Sequence, residues 1–285
     1  MEPAFARVAH LILTHKNPDQ LVKLVTALNH PRMDCYIHVD AKTQIRPFEL
    51  QLNGLPNVHF IKSRVSIYWA GYGTIQATLN GIQEILSQRQ SYDYIHVMSG
   101  QDFPIKSCDY LLDFLKVNYG KEFFDYLHPR WPANIETRYN RYHLINLRVL
   151  GRYKLENLLN RMLPHRNFFF SGPVFGSSNW FMITEGCARY MIDQIQKNKK
   201  LVRYFKFVWG ADEFLFINLI MRSPFKNNVE GSGIHYMEWE GGDAHAKILT
   251  IDDLGILKSS DMLFARKFDI EVDSLIIDKV IIGEK

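Results

Sequence analysis

Cysteine is scarce in this sequence. Cys35, Cys108 and Cys187 are widely spaced and form no C-x-x-C. An odd, sparse set excludes a disulfide-stapled scaffold and fits reduced, buried thiols in a reducing compartment, hence a cytoplasmic location. Long hydrophobic runs are absent too. No stretch approaches the ~18 consecutive apolar residues of a membrane span, so a soluble globular chain without a transmembrane segment is expected. The start, Met1-Glu2-Pro3-Ala4-Phe5-Ala6-Arg7, has an early acid and no basic region leading into an apolar one, which argues against a secretory signal. Excess charge is small: 34 Lys+Arg against 30 Asp+Glu leave +4, with both signs interspersed. The densest cation cluster, Lys197, Lys199, Lys200, Arg203 and Lys206, lies between two apolar periodic segments. It reads as a solvated helix end and loop, not a nucleic-acid patch, so no nucleic-acid partner is expected. There is no internal repeat and no Ser/Gly/Pro-rich linker. With 285 residues, 47% of them hydrophobic, one continuous domain over residues 1–285 is the simplest organisation.

Several common mechanisms lack their parts. No G-x-x-x-x-G-K-[ST] is present to cradle phosphates. Gly71-Tyr72-Gly73 begins a dinucleotide fingerprint, but Gln76 stands where the third glycine belongs. There is no G-x-S-x-G elbow and no H-E-x-x-H. The histidines are scattered without metal-ligand spacing, and His38 and His96, inside strand patterns, read as core residues. No D-x-D stands in a strand-end loop; the nearest acidic spacings are Glu238-x-Glu240 and Glu271-x-Asp273, both with plain surface readings.

What the chain does have is alternation. Val8–Leu13, Cys35–Val39, Val58–Ile61 and Tyr94–Met98 read as short apolar strands. Between them lie helical periods. Asn17-Pro18-Asp19-Gln20 offers a cap, an N1 proline and a capping-box amide, followed by Leu21, Leu24 and Leu28. Thr74 precedes the stripe Ile75, Leu79, Ile82, Leu86. Strand and helix in this order predict an α/β fold with a mostly parallel central sheet flanked by helices. Later come Gly176–Thr184, a helix with Ala188, Met191 and Ile195 on one face, Trp209-Gly210-Ala211-Asp212-Glu213 before a strongly apolar helix, and a capping box at Thr250-Ile251-Asp252-Asp253.

Three features suggest chemistry, each with a plainer reading beside it. Asp40 closes a strand at the sheet edge where open α/β folds bind ligands, or it caps a turn. Asp212-Glu213 opens a helix, where dipole and free amides hold a carboxylate ionised; this suits a general base or is an ordinary acidic first turn. Lys247 and Lys267, with Arg266, can neutralise a departing diphosphate or are surface cations. Trp180, Trp239 and Tyr236 offer apolar faces to a ligand or pack in the core, the latter favoured for Trp180.

Taken together, the strings resemble the core-2/I-branching β-1,6-N-acetylglucosaminyltransferase family, which also holds the peptide O-xylosyltransferases. The resemblance rests on His38-Val39-Asp40-Ala41-Lys42, Ser63-Arg64 with Tyr68-Trp69-Ala70-Gly71, and Met98-Ser99-Gly100-Gln101-Asp102-Phe103-Pro104-Ile105-Lys106. It continues through Gly176-Ser177-Ser178-Asn179-Trp180-Phe181, Ala211-Asp212-Glu213, Trp239, and Leu263-Phe264-Ala265-Arg266-Lys267-Phe268-Asp269. It implies a GT-A-like nucleotide-sugar-binding fold whose part to about residue 107 holds the nucleotide, the remainder serving acceptor and catalysis. It implies an inverting glycosyltransferase that needs no metal or other cofactor, with a UDP-sugar donor and a glycan or glycoconjugate acceptor. Glu213 is then the catalytic base. Asp40 holds the uridine, and Lys247 and Lys267, with Arg266, the diphosphate; Lys247 stands where relatives commonly carry arginine. Trp239, Tyr236, Arg138 and Glu136 fall to the acceptor. The donor is UDP-N-acetylglucosamine, with UDP-xylose or a non-catalytic carbohydrate-binding relative as alternatives. Action at the inner membrane face on lipid-linked precursors is compatible with this, although no amphipathic anchor is evident in the sequence.

Overall fold

The computed structural model describes residues 6–126, 134–239 and 246–281. Its strands are Val8–Thr14 (β1), Met33–Val39 (β2), Val58–Phe60 (β3), Tyr94–Ser99 (β4), Asp102–Pro104 (β5), Glu122–Phe124 (β6), Phe181–Thr184 (β7), Val229–Glu230 (β8), His235–Met237 (β9) and Phe264–Arg266 (β10). Its helices are Pro18–Ala27 (α1), Arg46–Leu52 (α2), Gly73–Leu86 (α3), Cys108–Val117 (α4), Thr137–Asn140 (α5), Arg152–Met162 (α6), Glu185–Lys197 (α7), Lys199–Phe205 (α8), Asp212–Ile220 (α9), Leu254–Ser259 (α10) and Leu275–Ile281 (α11).

The large sheet runs β3-β2-β1-β4-β7-β6-β8, and β7 alone is antiparallel to its neighbours. β1 and β2 are buried at every position, as strands covered on both faces must be. On one side Leu21, Phe48, Leu111 and Ile276 bring α1, α2, α4 and α11 against the sheet. On the other, Ile75, Met191, Leu201 and Leu215 do the same for α3, α7, α8 and α9. The architecture is the expected helix-flanked, mostly parallel GT-A-like α/β fold.

A small sheet, β5-β10-β9, packs on the first side. Its centre is Phe264, whose ring lies 4.4 Å from that of His96 and 6.1 Å from that of His10. His10 and His96 are opposite each other in the β1–β4 register and share a 3.0 Å ring-nitrogen contact; His96 in turn meets His235 at 3.3 Å. Both strand histidines foreseen as core residues are buried, His38 accepting a bond from the Val65 amide.

Local signals were partly redirected. Helix α1 begins at Pro18, but Asn17 adopts a left-handed conformation and gives its amide to Asp269 instead of the helix. Gln20 likewise abandons a capping box, donating to the Gly100 and Phe268 carbonyls and accepting from the Ile270 amide. Helix α3 starts at Gly73, leaving Thr74 inside it. The Thr250–Asp253 capping box is present. The cation cluster spans the end of α7 and a separate short helix, α8.

Candidate active site

The carboxyl ends of β1, β2 and β4 form one rim. Asp40 follows β2 and is almost fully buried; its Oδ1 accepts from the Lys42 amide at 2.8 Å and its Oδ2 from the Ile67 amide at 3.2 Å, with the Lys42 ammonium 3.0 Å away. Arg64 closes this turn from below, donating to the carbonyls of Val39, Asp40 and Thr43 at 2.8, 2.8 and 2.6 Å. Asp40 thus shapes the loop 63–67 as well as the rim.

The segment holding Lys267 is laid across the same rim. The Phe268 amide donates to Gln101 O at 2.9 Å, and Asp269 receives the Lys16 ammonium and the Asn17 amide. The Lys267 ammonium takes no hydrogen bond or ion pair from the described residues. Its pKa is lowered by desolvation, then by Arg266 and Lys16, with Asp269 opposing. His15 is lowered too, by desolvation and then by Lys16, with Asp40 opposing and Lys267 and Lys42 adding. Lys16, Asp40, Lys42 and Lys267 thus all act on His15. Lys16 escaped the sequence reading, although its place just past β1 is the same signal that singled out Asp40.

Lys247 is brought beside Lys267 through the backbone: the Lys267 amide meets Lys247 O at 3.3 Å and the Leu249 amide meets Lys267 O at 2.8 Å. Its ammonium, however, is 2.8 Å from Asp253 and 3.7 Å from Glu238, so it enters the site already compensated. Arg266 turns inward. Its guanidinium is 3.1 Å from the fully buried Asp102 and 4.6 Å from the Trp180 ring, so it supports the wall behind Lys267 and braces Trp180. Burial raises the Asp102 carboxyl to about 6, against the pull of Arg266 and the Ser99 amide.

Glu213 stands in the first turn of α9, its side chain about a third exposed. Oε2 accepts from Arg138 at 2.6 Å. Burial raises the Glu213 carboxyl and Arg138 draws it part of the way back; Asp212 beside it is also raised, by burial and by the Glu213 charge. The Arg138 guanidinium lies 4.2 Å over Trp209, and Trp209 meets the exposed Trp69 edge-on at 4.9 Å. Gly210 supplies the positive φ (63°) of the turn into α9, and its amide donates to Ala70 O at 2.9 Å. The Ser177 amide donates to Glu213 O, linking α9 to the strip that ends at Trp180. Arg138, foreseen on the acceptor side, is thus the partner of the carboxylate itself.

Tyr236 donates to Glu238 at 3.3 Å from β9, and Trp239 is exposed at the end of a described segment. Glu136 is exposed at the start of α5. Glu240 and the loop 241–245 lie outside the described residues. Of the second acidic spacing, Asp273 serves backbone amides at Ile251, Leu275 and Ile276. Among the described residues no group of three or more His, Cys, Asp or Glu is arranged to hold a metal ion.

Comparison with known proteins agrees with this architecture. The family model described as Core-2/I-Branching enzyme matches residues 8–262. A human beta-1,3-galactosyl-O-glycosyl-glycoprotein beta-1,6-N-acetylglucosaminyltransferase is 24% identical over 304 residues, covering 95% of this chain and 68% of the relative. A protein of the same name from bovine herpesvirus 4 is 25% identical, covering 76% of this chain and 47% of its own length. Xylosyltransferase oxt of Drosophila pseudoobscura pseudoobscura is 32% identical over 107 residues, 36% of this chain and 12% of the relative. The chain belongs to the core-2/I-branching enzyme family, a family of glycosyltransferases.

Proposed function

We propose that this chain is an inverting transferase that moves N-acetylglucosamine from UDP-N-acetylglucosamine to a hydroxyl of a glycan or glycoconjugate acceptor, forming a β-1,6 branch without a metal ion. The observation that carries the reading is Glu213: a partly exposed carboxylate at a helix N-terminus, raised by burial and oriented by Arg138. A raised carboxylate is a better base at neutral pH, and a fixed one needs no reorganisation at the moment of attack. Glu213 takes the proton from the acceptor hydroxyl; the oxygen bonds to the anomeric carbon from the face opposite the nucleotide; the bond to UDP breaks and UDP keeps the electron pair. Lys267 supplies the positive charge that the leaving diphosphate requires, Lys16 and Lys247 contributing through ammonium groups already paired with Asp269 and Asp253. Asp40 and the loop it pins hold the uridine, within a nucleotide-binding part reaching to about residue 107. Tyr236, Trp239 and Glu136 line the acceptor side.

The likeness to the human relative favours the N-acetylglucosaminyl donor. The higher identity to xylosyltransferase oxt over a shorter stretch supports a second reading, xylosyl transfer by the same residues. Measuring UDP release from a panel of UDP-sugars separates them: preference for UDP-xylose overturns the first. Glu213→Gln lowers turnover by roughly 10²–10⁴-fold while UDP still binds. Near-native turnover in that variant removes Glu213 from the mechanism, and no turnover by the native chain with any donor favours a carbohydrate-binding protein. EDTA leaves the rate unchanged; loss restored by Mn²⁺ overturns the metal-free reading.

A further inference from the structure

Helix α6 is turned inside out. None of its residues is buried. Its polar side faces the protein: Asn160 exchanges two 2.8 Å bonds with the Tyr142 backbone, and Glu156 receives the Leu144 amide at 2.9 Å with His143 3.3 Å away. The opposite side carries Leu155, Leu158 and Met162, spaced i, i+3, i+7 on one stripe and 40%, 52% and 73% exposed. The turn before it adds exposed Val149 and the fully exposed Leu150. Soluble proteins seldom present so many large apolar side chains contiguously without a partner.

The charges around the stripe indicate the partner. Between residues 147 and 163 the cations are Arg148, Arg152, Lys154 and Arg161, and Glu156, the acid in that stretch, is engaged inward. The basic helix α8 is tied to the base of the excursion, Arg166 donating to Tyr204 O and Phe207 O and Asn146 to Lys206 O. A second copy set against this face would bring the same cations together. A protruding turn and helix also offer no groove to an extended peptide, whereas a bilayer accepts a convex apolar ridge with cations at headgroup level.

We propose that residues 147–163 dock the enzyme on a bilayer rich in anionic lipid, α6 lying in the interface with Leu155, Leu158 and Met162 among the acyl chains and Lys154 and Arg161 at the phosphates. Arg148 lies over the Tyr68 ring, next to the Ile67 amide that Asp40 accepts, so the variants below leave Arg148 in place; the proposal stands whichever sugar is transferred. The test is flotation of the full chain with vesicles of phosphatidylcholine alone, or with one third phosphatidylglycerol. The chain binds the anionic vesicles, and binding weakens as salt is raised. Leu158→Glu with Met162→Glu reduces partitioning at least tenfold while UDP release to a soluble acceptor stays native. Lys154→Glu with Arg161→Glu, which leaves the stripe intact, lowers binding to anionic vesicles alone. The proposal is overturned if the native chain ignores anionic vesicles at low salt, or if the apolar double variant binds as well as native. It is equally overturned if sedimentation shows a dimer that this variant dissolves, because the occupant is then another copy.

Discussion

At the scale of single residues, the chemistry turns on how far the fold satisfies each charge. Arg138 and Glu213 are a half-buried pair, and the guanidinium stabilises the ionised carboxylate against burial. Removing it leaves burial unopposed. Arg138→Ala therefore moves the acid limb of the kcat/KM profile to higher pH and lowers kcat, as the base is both harder to ionise and unoriented; a pH–rate profile shows both. The lysines divide otherwise. Lys267 has no fixed partner among the described residues, whereas Lys247 is held by Asp253 and Glu238. Lys267→Ala consequently raises KM for the UDP-sugar by tenfold or more, and Lys247→Ala has the smaller effect, measured side by side in steady-state kinetics. Asp40 could be singled out from sequence because a strand run ends there. The Arg138–Glu213 pair could not, since 75 residues separate its members. Nor could the compensation of Lys247 by Asp253: the six-residue spacing runs through irregular chain into a 3₁₀ segment, and only the folded path brings them together.

At the scale of elements, buried apolar runs and helical stripes were enough to place β1 to β4 and helices α1, α3, α7 and α9, because a parallel sheet covered on both faces imposes that alternation; the short strands and helices α4 and α6 were not read. Helix starts were less legible. Asn17 and Gln20 carry cap chemistry, yet tertiary partners at Asp269, Gly100 and Phe268 claim their side chains. Helix α6 went unread as an anchor for a different reason: an amphipathic period states that two faces differ, not which one turns inward. Packing of α3 on β1 is the tightest contact of its kind. A Cβ on Gly81 would lie 2.4 Å from Leu11 Cδ1, so the Leu11 side chain, fully buried, must shift within the core. Gly81→Ala gains up to ~1 kcal/mol in helix propensity and loses about 1–3 kcal/mol by overpacking. Net destabilisation is expected in urea unfolding, with the slope unchanged.

At the scale of the whole molecule, two sheets meet through histidines. His10, His96 and His235 are buried and held neutral, His10 and His235 pushed down to about 3 by burial and His96 well below its ordinary value. A base whose folded pKa is depressed binds its proton in the unfolded chain first. Stability is therefore lost as pH falls below the ordinary histidine value near 6.5. Asp102, raised to about 6, and Asp212 and Glu213, also raised by burial, act in the opposite sense and offset part of this, while His38, lowered to about 4 by burial, adds to it. The melting temperature is expected to drop steadily from pH 6.5 towards 4; a flat profile would show that the string does not stay neutral. Finally, one short stretch of backbone touches both the Asp40 turn and the start of the Glu213 helix, proposed above to serve donor and acceptor: Ile67 gives its amide to Asp40, and three residues later Ala70 gives its carbonyl to Gly210, at the threshold of α9. A strap fastened at both ends transmits tension, so seating the donor sets the stage for the alcohol. Bisubstrate kinetics should accordingly run in compulsory order, UDP competing with the donor and not with the acceptor.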